Sequence, residues 1–230
     1  INHLFVNYKK DLNLENFVDS KLNLKVERVN NDTYLKVFQD NLLSPIIPND
    51  KNLMVNELDY ILDHNNYNLS AGFQIYEKLS TKHSDKYQYV SKYDFSKNLD
   101  FDKLTGSLNF YSSGSNNLKN TNNLRSSVTN DIYYNSKSYF TNTGFDNKFN
   151  LYFKNLNSVG KNDPTYKSSP SIEGMSIFEV SSSLPLVKEN NLNKEILIPK
   201  ISLRANPGNN MKNHRLENQI ITANNVFDIN

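Results

Sequence analysis

The sequence predicts an all-β fold, an antiparallel meander of about 10–12 strands whose pattern fits an incomplete transmembrane β-barrel. Three observations lead there. Segments of about ten residues alternate apolar and polar side chains and are separated by breaks rich in Asn, Asp, Ser and Gly. No run approaches the roughly 18–20 apolar residues of a membrane helix, so any passage through a bilayer must be made by strands. The chain also carries 14 Tyr and 13 Phe but no Trp, with Tyr near strand ends or at alternate positions, as in Tyr87, Tyr89 and Tyr93 followed by Phe95.

The alternation is clearest in Lys21-Leu22-Asn23-Leu24-Lys25-Val26-Glu27, in Asn68-Leu69-Ser70-Ala71-Gly72-Phe73-Gln74-Ile75 and in Lys148-Phe149-Asn150-Leu151-Tyr152-Phe153-Lys154. Period two is that of a strand with one dry and one wet face. Taken in order, it predicts strands over Leu4–Lys9, Ser20–Val29, Thr33–Phe38, Leu53–Leu62, Tyr67–Tyr76, Lys86–Lys97, Leu104–Tyr111, Asn123–Tyr134, Lys148–Asn155, Gly174–Leu184 and Glu195–Arg204, with a partial strand near Ile220. Turn chemistry separates them at Asn30-Asn31-Asp32, Pro48-Asn49-Asp50, Asp63-His64-Asn65-Asn66, Ser113-Gly114-Ser115-Asn116-Asn117 and Asn206-Pro207-Gly208-Asn209. Gly160–Ser171 and Pro207–Leu216 are expected to be longer loops. Pro199 lies within a predicted strand, which implies an edge, a bulge or a missing ladder bond, and Gly72, Gly106 and Gly174 could relieve crowding where a wall curves.

Only 37% of residues are hydrophobic and the mean hydropathy is −0.66, so a soluble core would be lean. A barrel with a polar lumen needs no more than this. Tyr suits a membrane–water interface but also favours strands in general, so pattern by itself leaves a transmembrane barrel and a soluble β-rich domain both open. The net charge of +2 arises from 26 basic and 24 acidic residues mixed along the chain, without the basic block of a nucleic-acid arm. Without cysteine there is no disulfide, thiolate metal site or thiol nucleophile. His3, His64, His83 and His214 lack metal-ligand spacing, and His83-Ser84-Asp85 suits a turn better than a hydrolase, since neighbours on a strand face opposite ways. With no nucleophile elbow or phosphate-cradling loop, the expectation is a protein that is not an enzyme and uses no cofactor or metal. The opening Ile1-Asn2-His3-Leu4 and the alternating close at Asn225–Asn230 predict one partial barrel domain over 1–230, cut at both ends.

Particular residues add a resemblance. Val29-Asn30-Asn31-Asp32-Thr33-Tyr34-Leu35-Lys36, Tyr76-Glu77-Lys78-Leu79, Ser84-Asp85-Lys86-Tyr87-Gln88-Tyr89-Val90, Ser182-Ser183-Leu184-Pro185-Leu186 and, most of all, Leu197-Ile198-Pro199-Lys200-Ile201-Ser202-Leu203-Arg204-Ala205-Asn206-Pro207-Gly208 with Met211-Lys212-Asn213 follow one another in order. In combination they resemble the C-terminal barrel of the lipopolysaccharide-assembly outer-membrane protein family LptD. The resemblance implies a component of the translocon that inserts lipopolysaccharide into the outer leaflet of a Gram-negative outer membrane. It further implies an LptE-like lipoprotein plug, an LptA-like periplasmic bridge reached through an N-terminal jelly roll absent from this stretch, and contact with outer-membrane lipid.

If Leu22, Leu24 and Val26 face lipid, then Lys21, Asn23, Lys25 and Glu27 face the lumen, and the same holds for Phe149, Leu151 and Phe153 against Lys148, Asn150, Tyr152 and Lys154. Leu197, Ile201 and Leu203 point outward with Pro199 by the same reasoning, and Lys200 and Arg204 inward. Lys25, Lys148, Lys154, Lys200 and Arg204 are therefore the candidate residues of a polar path for a phosphorylated glycan or of a contact with the plug, against the plainer reading as solvated lumen cations. Another outer-membrane barrel, porin-like or a receptor, and a soluble β-sandwich binding module are the alternative functions.

Overall fold

The computed structural model describes residues 3–79, 81, 86–99, 105–189 and 193–208. Within them the chain is almost entirely antiparallel β-sheet, as the alternation predicts. The strands are β1 (His3–Asp11), β2 (Asp19–Val29), β3 (Leu53–His64), β4 (Tyr67–Lys78), β5 (Tyr87–Leu99), β6 (Gly106–Lys119), β7 (Asn123–Ser136), β8 (Tyr139–Phe140), β9 (Asp146–Lys161), β10 (Ser171–Ser183), β11 (Leu186–Glu189), β12 (Lys194–Leu197) and β13 (Lys200–Ala205). Eleven strands join one sheet in the order β1-β2-β3-β4-β5-β6-β7-β9-β10-β13, with β8 on β9, while β11 and β12 pair separately. This is the predicted meander; because the path runs from β1 to β13 without returning, a closed barrel is not shown among the described residues. The partial strand expected near Ile220, the His83-Ser84-Asp85 trio, Leu104 and the part of the Pro207–Leu216 loop beyond Gly208 lie outside those residues.

The chain divides into two units, one of Ile1–Ser96, Ser112–Thr129 and Asn157–Ile172, the other of Lys97–Tyr111, Asn130–Leu156 and Glu173–Asn230. In the first unit, register separates the faces cleanly. Tyr8, Leu24, Leu58 and Phe73 stand opposite one another across β1 to β4, and the neighbouring row is Asn7, Lys25, Glu57 and Gln74. A further polar row is Lys9, Asn23, Asp59 and Gly72. A Cβ at Gly72 would meet the Asp59 carboxylate, the end of a flexible side chain that can swing aside. In the second unit a Cβ on Gly106 would strike the Asn135 carbonyl, whereas one on Gly174 would meet the Lys154 carbonyl and the Phe153 ring only at ordinary van der Waals distance, so Gly174 relieves no crowding.

The predicted strand Thr33–Phe38 is instead a short helix, α1 (Tyr34–Phe38), continued by a 3₁₀ turn over Gln39–Asn41. The reason is local and tertiary at once. The Asn31 side-chain oxygen accepts the Thr33 N–H at 3.0 Å, and the Asn31 carbonyl accepts that of Tyr34 at 3.0 Å, which winds the chain. Tyr34 and Leu35 then pack on Met54 and Leu79, with Phe5, Val29, Phe38 and Leu42 around them. Phe5 and Val29 share their strand faces with Asn7 and Lys25, so this β2–β3 connection covers the end of the polar face of β1 and β2.

Two more expectations are corrected. Ser113–Asn117 is not a break but the middle of β6, whose turn comes at Asn120 and Thr121, both at φ 55°. The Tyr93 ring lies where a Cβ of Gly114 would be, and the Ser113 and Ser115 hydroxyls meet Thr129 and Ser127 at 2.6 and 3.3 Å, so packing supports a segment whose composition reads as turn. The single strand predicted over Glu195–Arg204 is two strands, β12 and β13, separated at Ile198-Pro199. The register nevertheless runs on through the gap, from Ser183 opposite Lys200 to Leu186 opposite Leu197. Pro199 still accepts the Leu184 N–H at 3.0 Å but has no N–H to return, which is the missing ladder bond that its position implies.

Candidate functional site

The polar rows of the two units are the places where charge, hydroxyl and amide groups concentrate. In the first unit, Lys25 Nζ lies 2.7 Å from Glu27 Oε1. Glu27 is nearly buried; its Oε2 accepts the Val55 N–H at 2.8 Å, and its own N–H donates to Asn56 Oδ1 at 3.0 Å. These side chains take over the ladder where β2 and β3 pairing stops at Lys25 opposite Glu57. Next along the row, Gln74 Nε2 donates to Glu57 Oε1 at 2.7 Å and the Tyr76 hydroxyl to Gln74 Oε1 at 2.8 Å.

In the second unit, Arg204 Nε donates to Glu179 Oε2 at 2.8 Å across β10 and β13. Register puts Lys200, Ser202 and Arg204 on one face with Ser183, Ser181 and Glu179, and Ile201 and Leu203 on the other with Ser182 and Val180. Lys148 Nζ lies 3.5 Å from Asp146, and Lys154 is half-buried on the same alternate set of β9. Thus the alternation assigned to Ile201, Leu203, Lys200 and Arg204 is present, while Leu197 belongs to the separate β11–β12 ladder.

Of the five candidate cations, Lys25 falls in the first unit and Lys148, Lys154, Lys200 and Arg204 in the second. Lys25, Lys148 and Arg204 each face a carboxylate, so the polar rows are mixed-charge surfaces rather than cationic ones. The sequence candidates were all cations: Glu27 was placed on the lumen face but not among them, and Glu57, Asp59 and Glu179 were not singled out. Their signal was available in part, because Glu27, Glu57 and Asp59 occupy the same alternate positions as polar neighbours.

A loop in the first unit is fixed by one arginine. Arg125 Nε donates to Asp163 Oδ2 at 2.7 Å, Arg125 Nη2 to Thr165 Oγ1 at 3.1 Å, and its guanidinium carbon lies 5.9 Å from the centroid of the buried Tyr166 ring. Asp163 Oδ1 accepts the Thr165 and Tyr166 N–H groups at 2.8 and 2.9 Å. Burial pushes the Asp163 carboxyl up, but the bonds from Arg125, Tyr166 and Thr165 outweigh it and hold the group below the usual carboxylate range. A depressed folded value means that the contribution is complete above the unfolded value, about 3.9, and is lost as pH falls through the lower folded one. Amide exchange at Thr165 and Tyr166 should accordingly stay slow from neutral pH to about pH 4 and open only below it. Asp163→Asn should abolish that acid dependence; an unchanged acid profile in this variant would remove Asp163 from the account.

Among the described residues no three His, Cys, Asp or Glu side chains are grouped to hold a metal ion, and no helix is long and apolar enough to cross a membrane. No protein-family model matches the chain, and no curated protein matches it at a significant level.

Proposed function

We propose that the chain forms part of the wall of an outer-membrane β-barrel, apolar rows toward hydrocarbon and polar rows toward water, and that this barrel belongs to a lipopolysaccharide translocon. The observation that carries the reading is an inverted burial pattern. Along β10, Glu179 and Ser181 are 5% and 6% exposed, while Phe178 and Val180 beside them are 44% and 42% exposed. In the first unit Glu27 is 5% exposed, against 46%, 45% and 44% for Tyr8, Leu58 and Phe73 of the apolar row. A water-soluble domain arranges these the other way, because exposed apolar rows of this extent stay in contact with water at a cost. Lipid removes the cost, and a polar interior is what a hydrated passage requires.

The glycolipid substrate is supported by the ordered resemblance to the LptD family and by the chemistry of the polar rows. Amides and hydroxyls exchange hydrogen bonds with sugars, and Lys25, Lys148, Lys154, Lys200 and Arg204 supply cations for phosphate. An LptE-like plug and an LptA-like bridge are the partners of this reading.

Photo-crosslinkers placed at Leu58 and Phe73, and separately at Asn23 and Gln74, test it in membranes of cells producing the protein. Leu58 and Phe73 should capture phospholipid, and Asn23 and Gln74 lipopolysaccharide sugar or a lipoprotein. Lipid capture without any lipopolysaccharide, together with ion conductance, would assign a porin-like channel instead. Recovery in the aqueous fraction with no lipid capture would assign a soluble β-sandwich.

A further inference from the structure

Three tyrosines, one each from β6, β7 and β9, stand in contact on the polar side of the second unit. Tyr111 and Tyr133 have ring centroids 5.6 Å apart at 75°, and Tyr133 and Tyr152 5.5 Å apart at 74°. Their side follows from their neighbours. The Tyr133 hydroxyl donates to Asp131 Oδ2 at 3.1 Å, two residues back on the same face. Tyr152 alternates with Asn150 and Lys154 and lies within electrostatic reach of Glu179 and Arg204. Tyr111 alternates with Ser113.

Aromatic rings gain most from an apolar or interfacial setting, so three in a row among Asn, Ser and charged groups ask for another use. Tyr111 remains 46% exposed. The row offers aromatic surface at a repeat close to one sugar ring, each ring turned edge to face on its neighbour, edged by a carboxylate at Asp131 and by the buried Glu179 with its exposed partner Arg204. A ligand that matches has apolar C–H faces and a fringe of hydroxyls that both donate and accept. Nucleic acid fits poorly, since Asp131 and Glu179 set negative charge beside the rings where a strand of phosphates would lie. An aliphatic chain would leave the fringe unused.

The geometry points to a pyranose-binding strip made by Tyr111, Tyr133 and Tyr152 with Asp131 and the Glu179–Arg204 pair, which holds neutral sugar units of a glycan on the polar face. It rests on the proposed reading of that face as a watery passage. The strip acts by stacking, so ring loss weakens binding while loss of a hydroxyl alone does little.

The test uses the full-length protein in detergent micelles and, as probe, the lipid-free oligosaccharide released from lipopolysaccharide by mild acid. Saturation-transfer NMR should show magnetisation passing from aromatic protons to sugar C–H groups. Tyr133→Leu and, separately, Tyr111→Leu at the exposed end should weaken binding about tenfold, Tyr133→Phe should keep it within about threefold, and Phe153→Leu should leave it unchanged. Binding equal to the parent in both leucine variants overturns the strip. If that result comes with lipid capture at Leu58 and Phe73, the strip alone is wrong; if lipid capture is also absent, the barrel reading fails with it.

Discussion

On the proposed membrane reading, Leu58→Arg will destabilise the protein in vesicles by about 2–4 kcal/mol, while Asn23→Arg will change it by no more than about 0.5 kcal/mol. The two residues belong to adjacent strands and to opposite faces: Leu58 lies in the row Tyr8, Leu24, Leu58, Phe73, and Asn23 in the row Lys9, Asn23, Asp59, Gly72. In hydrocarbon the arginine at position 58 must be desolvated or must distort the bilayer, whereas at position 23 it stays in water. Leu58 is already 45% exposed, so on a soluble domain the same substitution would cost little. Urea unfolding from phospholipid vesicles measures both variants against the parent. Equal and small effects would mean that the apolar rows do not meet lipid.

Leu35→Ala has the second large effect, about 2–5 kcal/mol on closure of the β2–β3 connection. Leu35 and Met54 are fully buried, and with Tyr34 and Leu79 they form the core that holds α1 against β1 and β2. Removing the isopropyl group leaves a cavity among Tyr34, Met54 and Leu79, with Phe5, Val29, Phe38 and Leu42 packed around it. Lys86 ties the same connection from outside, 3.0 Å from Asp32 and 3.1 Å from Glu77, and will not replace apolar contact. Because the connection can open without unfolding the sheet, hydrogen exchange at Tyr34 and Val37 is the sensitive readout, expected to rise about 30-fold or more. Leu43→Ala, at a fully exposed leucine, should leave those amides unchanged.

Strand content and the two-faced register were legible because side-chain alternation is a local property that any strand of this kind must show. Turns were harder. Ser113–Asn117 has the composition of a break, and only the Tyr93 ring over Gly114 and the hydroxyl pairs to β7 show why it stays extended. At Thr33–Phe38 the β-favouring residues masked a helical signal, namely the Asn31 cap and apolar residues at Leu35, Phe38 and Leu42. Pro199 was read as an edge, a bulge or a lost ladder bond, and the structure shows the lost bond, yet the strand around it was taken as continuous. Proline removes a donor on its own chain; whether the strand survives depends on the partner, here Leu184 and Pro185 at the same level of the hairpin.

The candidate site divides along the same line. By itself the sequence determined an antiparallel all-β meander, alternating faces and the positions of the lysines, arginines and tyrosines along each strand. Tertiary structure alone decided that Arg204 meets Glu179, that Arg125 holds Asp163, that Tyr111, Tyr133 and Tyr152 touch, and that Glu27, Glu179 and Ser181 are buried while Leu58, Phe73, Phe178 and Val180 stay exposed. The reason is physical: alternation follows from the geometry of a single extended chain, whereas charge pairing, ring contact and enclosure depend on which strands lie side by side and in what register.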